Sequence, residues 1–331
     1  MAVNSNTSEK FYSEKDSEKQ EYKIKIVWSN VVFYIYLHAA SIYALYLAVT
    51  SASWKTVLFA FICASCGELG ITAGSHRLWC HRSYKAKWPL RALLCCFASI
   101  AAQNDIYEWC RDHRAHHKFT DTDADPHNIK RGFFFAHIGW LMCKKHPDVA
   151  KRGKSLYLGD LWADPIVRFH RRLYVPMSLF FCYILPITIP VWYWGESKWN
   201  SFFIAGMLKY CYNLNVTFLV NSAAHTFGSQ PYNKHIMPRE NAFVSFLAHG
   251  EGWHNYHHVF PWDYSTSELG YTLNFTKAFI DFMAWIGQAY DLKSAHPQMV
   301  KSRKVMTGDG SRMKQLGEKE QLFLCSQSYA P

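Results

Sequence analysis

Four stretches of this 331-residue chain are apolar over the length of a membrane crossing. About 20 residues of α-helix, rising 1.5 Å per residue, span a hydrocarbon core of roughly 30 Å. A bilayer offers backbone amides no partner, so the sequence predicts an all-α integral membrane protein. A shorter apolar run at 90–104 favours an interfacial or buried helix. The four predicted transmembrane helices are 31–50, 56–75, 173–194 and 202–223.

The first two spans are expected to form a hairpin, because only the short segment Ser51-Ala52-Ser53 separates them. The third span contains Pro176, Pro186 and Pro190, which membrane helices tolerate as kinks. A large soluble α-helical protein, with buried helices that imitate spans, is the alternative interpretation of these runs.

Basic residues set the expected orientation. Of the 36 lysines and arginines, 33 lie in the N-terminal 30 residues, in 76–172 and in 224–331. The positive-inside rule then places both termini and a helical domain in the cytosol. We expect a cytosolic N-terminal segment at 1–27, a functional domain at 28–296, and a polar, loosely ordered cytosolic tail at 297–331.

The chain has 17 histidines, and nine of them lie near the predicted cytosolic ends of the spans. Positions i, i+3 and i+4 share one helix face, so each HxxHH motif is expected to aim three imidazoles at one point. His76 and His81 are five residues apart, and the prediction is that they face one site only if the helix ends between them. The nine are His76 and His81 of HRLWCH, His113, His116 and His117 of HRAHH, His254, His257 and His258 of HNYHH, and His225.

Imidazole is the commonest metal ligand, and so many rings exceed what one ion coordinates. The residues therefore predict two metal ions. Nitrogen ligation alone leaves iron, copper, zinc and nickel open, and a membrane site without cysteine ligands suggests oxygen chemistry at iron. Asn221 lies four residues before His225 and is a candidate for holding a metal-bound water, although a packing amide is the alternative. Nearby carboxylates are expected to accept the second ring N–H of some ligands: Asp112, Asp121, Asp123, Asp125 and Glu251.

These motifs resemble those of the membrane-bound acyl-CoA desaturases, the stearoyl-CoA desaturase family. The sequence as a whole is most similar to insect members of that family, and to moth members in particular. The resemblance covers roughly residues 25–295. Its segments are GITAGSHRLWCHRSYKA, WCRDHRAHHKFTDTDADPHN, GWLMCKKHPDV, NLNVTFLVNSAAH and GEGWHNYHHVFPWDY.

The resemblance implies that all nine histidines bind two Fe²⁺ ions, with Asn221 acting through a water. It also implies a kinked tunnel for the acyl chain at Gln103, Trp109 and Thr217. The residues that it matches to coenzyme A contacts are Asn30, Asn104, Arg111, Asp112, Lys144 and Lys145. The net charge of +9 in 76–172 suits a polyanionic ligand, although Lys144 and Lys145 are equally explained by positive-inside charge.

Two positions depart from vertebrate members of that family. Ala64 replaces a large aromatic residue, and Glu68 replaces a small one. Glu68 is eight residues from His76, about 12 Å along a helix, which is too far to orient that ligand. We expect the pair to reshape the far end of the tunnel, and an interhelical hydrogen bond is the alternative for Glu68.

The resemblance implies an endoplasmic-reticulum enzyme that uses O₂ to place a cis double bond in a long-chain saturated acyl-CoA. The position would be Δ9 or, as in moth pheromone enzymes, Δ11. Cytochrome b5 and its reductase would supply two electrons, the lipid bilayer is the other partner, and no nucleic acid is expected. The alternatives are a di-iron membrane hydroxylase or alkane oxygenase, and a non-catalytic metal transporter or receptor.

Overall fold

The computed structural model describes residues 22–313, and within them almost all of the regular secondary structure is helical. The expected all-α fold is confirmed. Thirteen helical elements matter here. They are α1 (Trp28–Thr50), α2 (Trp54–Cys80), α3 (Trp88–Ala101), α4 (Ile106–Phe119), α5 (Phe133–His137), α6 (Pro147–Gly153), α7 (Gly159–Ala163), α8 (Pro165–Trp194), α9 (198–226), α10 (Ala242–Leu247), α11 (His254–Val259), α12 (Phe275–Trp285) and α13 (Pro297–Met306).

Three helices, α1, α2 and α8, are long and apolar enough to cross a membrane. They contain the first three predicted spans, and the turn expected at 51–53 separates α1 from α2. A kink occurs in α8 at Leu173, three residues before Pro176. The chain is therefore a multi-pass membrane protein.

The fourth predicted span lies in α9, which is 29 residues of continuous helix from 198 to 226 but is less apolar than α1, α2 and α8. The reason is its polar side chains, which turn into the protein instead of toward lipid. Lys209 and Asn213 are buried, and the Lys209 ammonium donates to the backbone oxygens of Ile100 and Cys182.

The apolar run at 90–104 forms α3, which is too short to span and packs antiparallel to α2. Glycines on α2 allow this close contact. A Cβ atom on Gly70 would lie 2.1 Å from the backbone nitrogen of Ala98, and one on Gly74 would lie 3.4 Å from Leu94 Cβ. The contact places the end of α3, and the loop that follows it, against the membrane-embedded part of α2.

The last 11 residues of α2, Gly70–Cys80, form a π-helix. The backbone N–H of His81 donates to the carbonyl of His76 at 3.0 Å, which is the i→i+5 bond of that helix type. Residues five apart consequently lie almost above one another. The helix ends at Cys80, so the expectation that it ends between His76 and His81 is confirmed, and the wider winding also helps to bring the two rings to one face.

Outside the spans, α4, α11 and α12 pack around the π-helical end of α2. A two-residue antiparallel pairing, Lys85–Ala86 with Ala289–Tyr290, joins the start of this region to its end. The described part of the tail is ordered, contrary to expectation. It forms α13, and Arg312 pairs with the buried carboxylate of Glu240 at 3.0 Å.

Candidate metal centre and substrate cavity

Five histidines from three segments converge to form the first imidazole group: His76, His81, His113, His117 and His257. Their Nε2 atoms are closely spaced. The distances are 2.9 Å between His76 and His257, 3.0 Å between His81 and His113, and 2.9 Å between His117 and His257.

A second group contains the other four histidines: His116, His225, His254 and His258. The Nε2 atom of His254 is 3.1 Å from those of both His225 and His258. Helix α9 therefore contributes His225, in its last turn, to the second group. The other three histidines of that group come from outside the spans.

Each HxxHH motif divides its rings between the two groups. In α4, His113 and His117 belong to the first group and His116 belongs to the second. In α11, His257 belongs to the first group, and His254 and His258 belong to the second. The expectation that each motif aims three imidazoles at one point is therefore wrong. In each motif the histidines at positions i and i+4 lie one above the other on the helix, whereas the histidine at i+3 is rotated to one side. The other imidazole group lies on that side.

The spacing suits metal ions. Two nitrogens each about 2.1 Å from one ion lie about 3.0 Å apart when the bonds are perpendicular. Without a metal ion between them, neutral imidazoles at this distance would repel one another, because the lone pairs of their nitrogen atoms would face each other. The buried Nε2 atom of His116 has no hydrogen-bond partner among residues 22–313, as a ligand atom would not.

Carboxylates behind the rings fix the ring orientation. Glu251 Oε2 lies 2.9 Å from His76 Nδ1, and Asp125 Oδ1 lies 2.9 Å from His116 Nδ1. Because a carboxylate only accepts, each Nδ1 carries the proton and each Nε2 keeps its lone pair for the group. The expectation for Asp125 and Glu251 is met, whereas Asp121 stays 3.7 Å from His225.

The electrostatics keep His113, His117 and His257 neutral and the Glu251 carboxylate ionised. Burial lowers the pKa of His113, His117 and His257 well below the usual range, and neighbouring imidazoles lower it further. Burial raises the pKa of Glu251, but Arg77 and His76 outweigh that effect and hold it at about 2. Neutral imidazoles backed by anions are the ligands that a divalent cation prefers.

An internal cavity of about 190 Å³ reaches the first imidazole group. It is lined by His113 and by both apolar and polar side chains from α1, α4, α8 and α9. Besides His113, six predicted site residues line it: Gln103, Asn104, Trp109, Asp112, Thr217 and Asn221.

Three of these residues form a constriction. Gln103 Nε2 donates to Thr217 Oγ1 at 2.9 Å, and Trp109 stacks on the His113 ring at 4.9 Å between centroids. The loop between α3 and α4 places Gln103 there, because Ala102 and Asn104 on either side have positive φ angles of 49° and 71°. The residues matched to a kink are thus adjacent in space.

The residues matched to coenzyme A contacts are only partly together. Asp112 lines the cavity and pairs with Lys145. Arg111, which does not line the cavity, donates to Asp112 at 3.1 Å. Asn30 instead donates to the carbonyl of Leu141, which lines the cavity. Lys144 is exposed and does not line the cavity.

A smaller chamber of about 40 Å³ lies on the other side of the constriction and shares Trp109, Thr217 and Asn221 with the cavity. It is lined by Glu68 as well as by His76 and His254. We call it the distal chamber. Asn213 Nδ2 donates to Glu68 Oε1 at 2.7 Å and to the carbonyl of Ala64 at 2.9 Å, so the interhelical hydrogen bond considered for Glu68 exists.

Sequence reasoning missed three residues of the site. His127 belongs to none of the histidine motifs, yet it lines the cavity and groups with Asp125 and His116. Trp140 also lines the cavity, and its buried indole N–H has no partner within residues 22–313. Arg77 donates to Glu251 at 2.9 Å. For His127 and Arg77 the signal in the sequence was proximity to the histidine motifs, whereas Trp140 lies far from them in the chain.

Comparison with known proteins agrees with this geometry. A family model described as "Fatty acid desaturase" matches residues 52–279. Among curated relatives, "Acyl-CoA Delta-9 desaturase" of Acheta domesticus is 55% identical over 299 residues, 90% of this chain and 83% of that protein. "Acyl-CoA Delta(11) desaturase" of Spodoptera littoralis is 53% identical over 88% of this chain and 86% of its own.

"Stearoyl-CoA desaturase 5" of Bos taurus is also 55% identical, over 86% of this chain and 85% of that protein. The predicted resemblance is therefore confirmed. Because the family model covers more than half of the chain and relatives above 50% identity cover most of it, the protein belongs to the fatty acid desaturase family.

Proposed function

We propose that this protein is an acyl-CoA desaturase that introduces a cis double bond into a long-chain saturated acyl-CoA. One observation carries the proposal: the cavity runs alongside His113 and meets the distal chamber at the constriction, and together the two spaces reach both imidazole groups. Relatives with Δ9 and Δ11 in their names are almost equally similar, so overall identity supports the reaction and not a double-bond position. The domain that performs it is proposed to be 28–296.

The two imidazole groups are proposed to hold two Fe²⁺ ions, with five ligands for one and four for the other. When bound, the pair would supply the activation of O₂, with two electrons from cytochrome b5 and its reductase. The second group has one imidazole fewer, and Asn221 lies one turn before its His225 on α9 while facing both cavities. Asn221 is therefore proposed to hold a water at that group.

The chain's own residues position the substrate. Trp109, Gln103 and Thr217 would bend the acyl chain so that two adjacent methylenes lie beside the imidazole groups, which makes the reaction positional. Asp112, Asn104 and three basic residues near Asp112 would bind the coenzyme A part of the substrate at the mouth of the cavity. These are Arg111, Lys144 and Lys145, with Asn30 supporting the wall through Leu141.

Ala64 and Glu68 are proposed to set how far the acyl chain extends beyond the constriction. Glu68 lines the distal chamber, and Ala64, one turn before it on α2, is 3% exposed. A large side chain at position 64 would crowd Glu68 and Asn213, which contacts both residues. Ala64→Tyr should shift products toward shorter chains or another double-bond position, and identical lipid products from both proteins would remove the idea.

We also propose four membrane spans, the fourth within α9, in the endoplasmic reticulum with both termini cytosolic. The charge asymmetry supports this orientation, because the basic segments 76–172 and 224–331 also contain all nine histidines of the imidazole groups. Acyl-CoA would then reach the cavity from the cytosol.

Expression in desaturase-deficient yeast tests the function directly. Recovery of growth, with new double bonds located by mass spectrometry of the lipids, is the expected result. A hydroxylated product instead of an alkene would indicate the related hydroxylase chemistry. Metal uptake into vesicles without any change in acyl chains would indicate a transporter.

A further inference from the structure

A surface groove of about 460 Å³ lies between α2, α9 and the segments that contain α10 and α12. Its lining is mostly apolar and is not part of the cavity or of the distal chamber. The residues that define this lateral groove are Phe61 and Ser65 of α2, Tyr212 of α9, Phe246 of α10, and Leu273 and Phe275.

The lateral groove is continuous with a lipid-facing surface. Phe61 is 58% exposed on a helix that crosses the membrane, and Leu58 and Ile62 beside it are also exposed. Apolar side chains exposed on a spanning helix contact lipid. A groove that includes Phe61 therefore opens to the bilayer and not to water.

The part of the chain outside the spans continues this apolar surface. Phe246 of α10 and Phe275 of α12 are 65% and 54% exposed, and on α12 the exposed stripe extends to Phe282 and Trp285. Contiguous exposed aromatic residues of this kind mark an interaction surface. Continuity with the spans identifies the partner as membrane lipid, because aromatic residues on such helices insert at the bilayer interface.

A thin wall separates the lateral groove from the distal chamber. Leu247 and His249 face the groove, whereas Ala248 between them faces the chamber. On α2, Ser65 faces the groove and Glu68, one turn later, faces the chamber. A ligand in the groove would lie directly behind the end of the proposed acyl-chain path.

We propose that the lateral groove binds an acyl chain of a bilayer phospholipid. The lipid chain packs between Phe61 of α2 and Phe246 of α10, and it supports the wall of the distal chamber from outside. This inference rests on the membrane spans and on the groove lining. It does not depend on the metal ions or on the acyl-CoA substrate.

The test is photocrosslinking of the full-length protein in vesicles that contain a phosphatidylcholine with a diazirine on one acyl chain. Mass spectrometry should find adducts on peptides that contain the groove residues of α2 and α10. Tyr157, which is exposed outside the spans and away from the groove, provides a peptide that should carry none.

Two phenylalanines of α10 give a matched pair. Phe243 and Phe246 are 66% and 65% exposed, but only Phe246 lines the groove. Phe246→Ala should lower the adduct yield on α2 several-fold, and Phe243→Ala should leave it unchanged. Ala278→Trp, which adds a ring inside the groove, should also lower the yield.

Equal adduct yields for both alanine variants would overturn the proposal, because they would indicate general immersion instead of a seated chain. Crosslinks between two copies of the chain at α10, in place of lipid adducts, would overturn it as well. Thermal unfolding of each variant in the same vesicles confirms that the comparison is made between folded proteins.

Discussion

His116 and His117 are neighbours in the chain but belong to different imidazole groups. The same separation occurs at His257 and His258, so α4 and α11 each contribute to both groups. A single helix cannot turn two adjacent residues toward one point, because successive residues are rotated by about 100°. The adjacent pair is thus the feature that holds two groups side by side.

Replacing His257 tests the first group. His257→Ala removes one of five converging Nε2 atoms and opens a space among neutral rings, so we expect bound iron to fall and desaturation to drop by more than about 100-fold. Iron per chain is measured by plasma mass spectrometry, and product by lipid analysis.

His235→Ala is the control, because that ring is exposed and belongs to none of the histidine groups. Unsaturated product at the unaltered level in His257→Ala would contradict the proposed ligand role.

Glu251 tests the layer behind the ligands. Glu251→Gln keeps the shape of the side chain but removes the charge that orients His76 and balances Arg77. Loss of such a partner typically costs 10–100-fold in metal affinity or activity, roughly the effect expected here. A chelator titration of the purified protein measures the change in affinity.

The exposed carboxylate Asp291, which pairs with Lys85 far from the rings, provides the comparison Asp291→Asn. If both variants retain metal equally well, Glu251 has no orienting role.

At the scale of elements, the π-helical end of α2 determines the site. It aligns His76 with His81, and it holds Arg77 where the guanidinium meets Glu251. The contact with α3 fixes its position, since Gly70 leaves no space for a side chain against Ala98. Metal ligands and helix packing are therefore coupled within one 11-residue π-helix.

Gly70→Ala should destabilise the protein. The new methyl group would overlap the backbone of α3, and overpacking of this kind costs about 1–3 kcal/mol, or more where backbone must move. A lowered midpoint of thermal unfolding in detergent is the expected observation.

Gly153→Ala in α6 is the matched variant, because a Cβ atom there meets nothing within 4 Å. Equal midpoints for the two variants would show that α2 and α3 separate without cost.

At the scale of the whole molecule, the spans place the imidazole groups at one membrane surface. His76 lies in the π-helical end of α2, and His225 lies in the last turn of α9, so both helices reach the site from the same side. Turns at 51–53 and 195–197 lie at the opposite ends of these helices. The proposed fourth span is required for this arrangement.

Glycosylation mapping tests the topology. A sequon with a short spacer inserted at 195–197 should be glycosylated in microsomes, because that turn is proposed to face the lumen. The same insertion near Lys154, in the basic segment, should stay unmodified. The opposite pattern, or modification at both sites, would exclude the proposed four-span orientation.

The amino-acid pattern alone was enough for the helical class, three of the spans and the nine histidines, because hydrophobic length and repeated imidazoles are local properties of the chain. It could not assign His116 and His257 to opposite groups, since that depends on how α4 and α11 face each other. It also missed His127 and Arg77, whose roles come from contacts between distant segments.

The polar residues of α9 show the physical reason most clearly. Lys209 and Asn213 lower the hydropathy of that helix, and only the packing of α2 and α3 shows that they face inward to carbonyl and carboxyl partners. Composition thus specifies what must be buried or bound. Which surfaces meet is a matter of packing in three dimensions, and the cavity, the constriction and the pairing of rings arise from that packing.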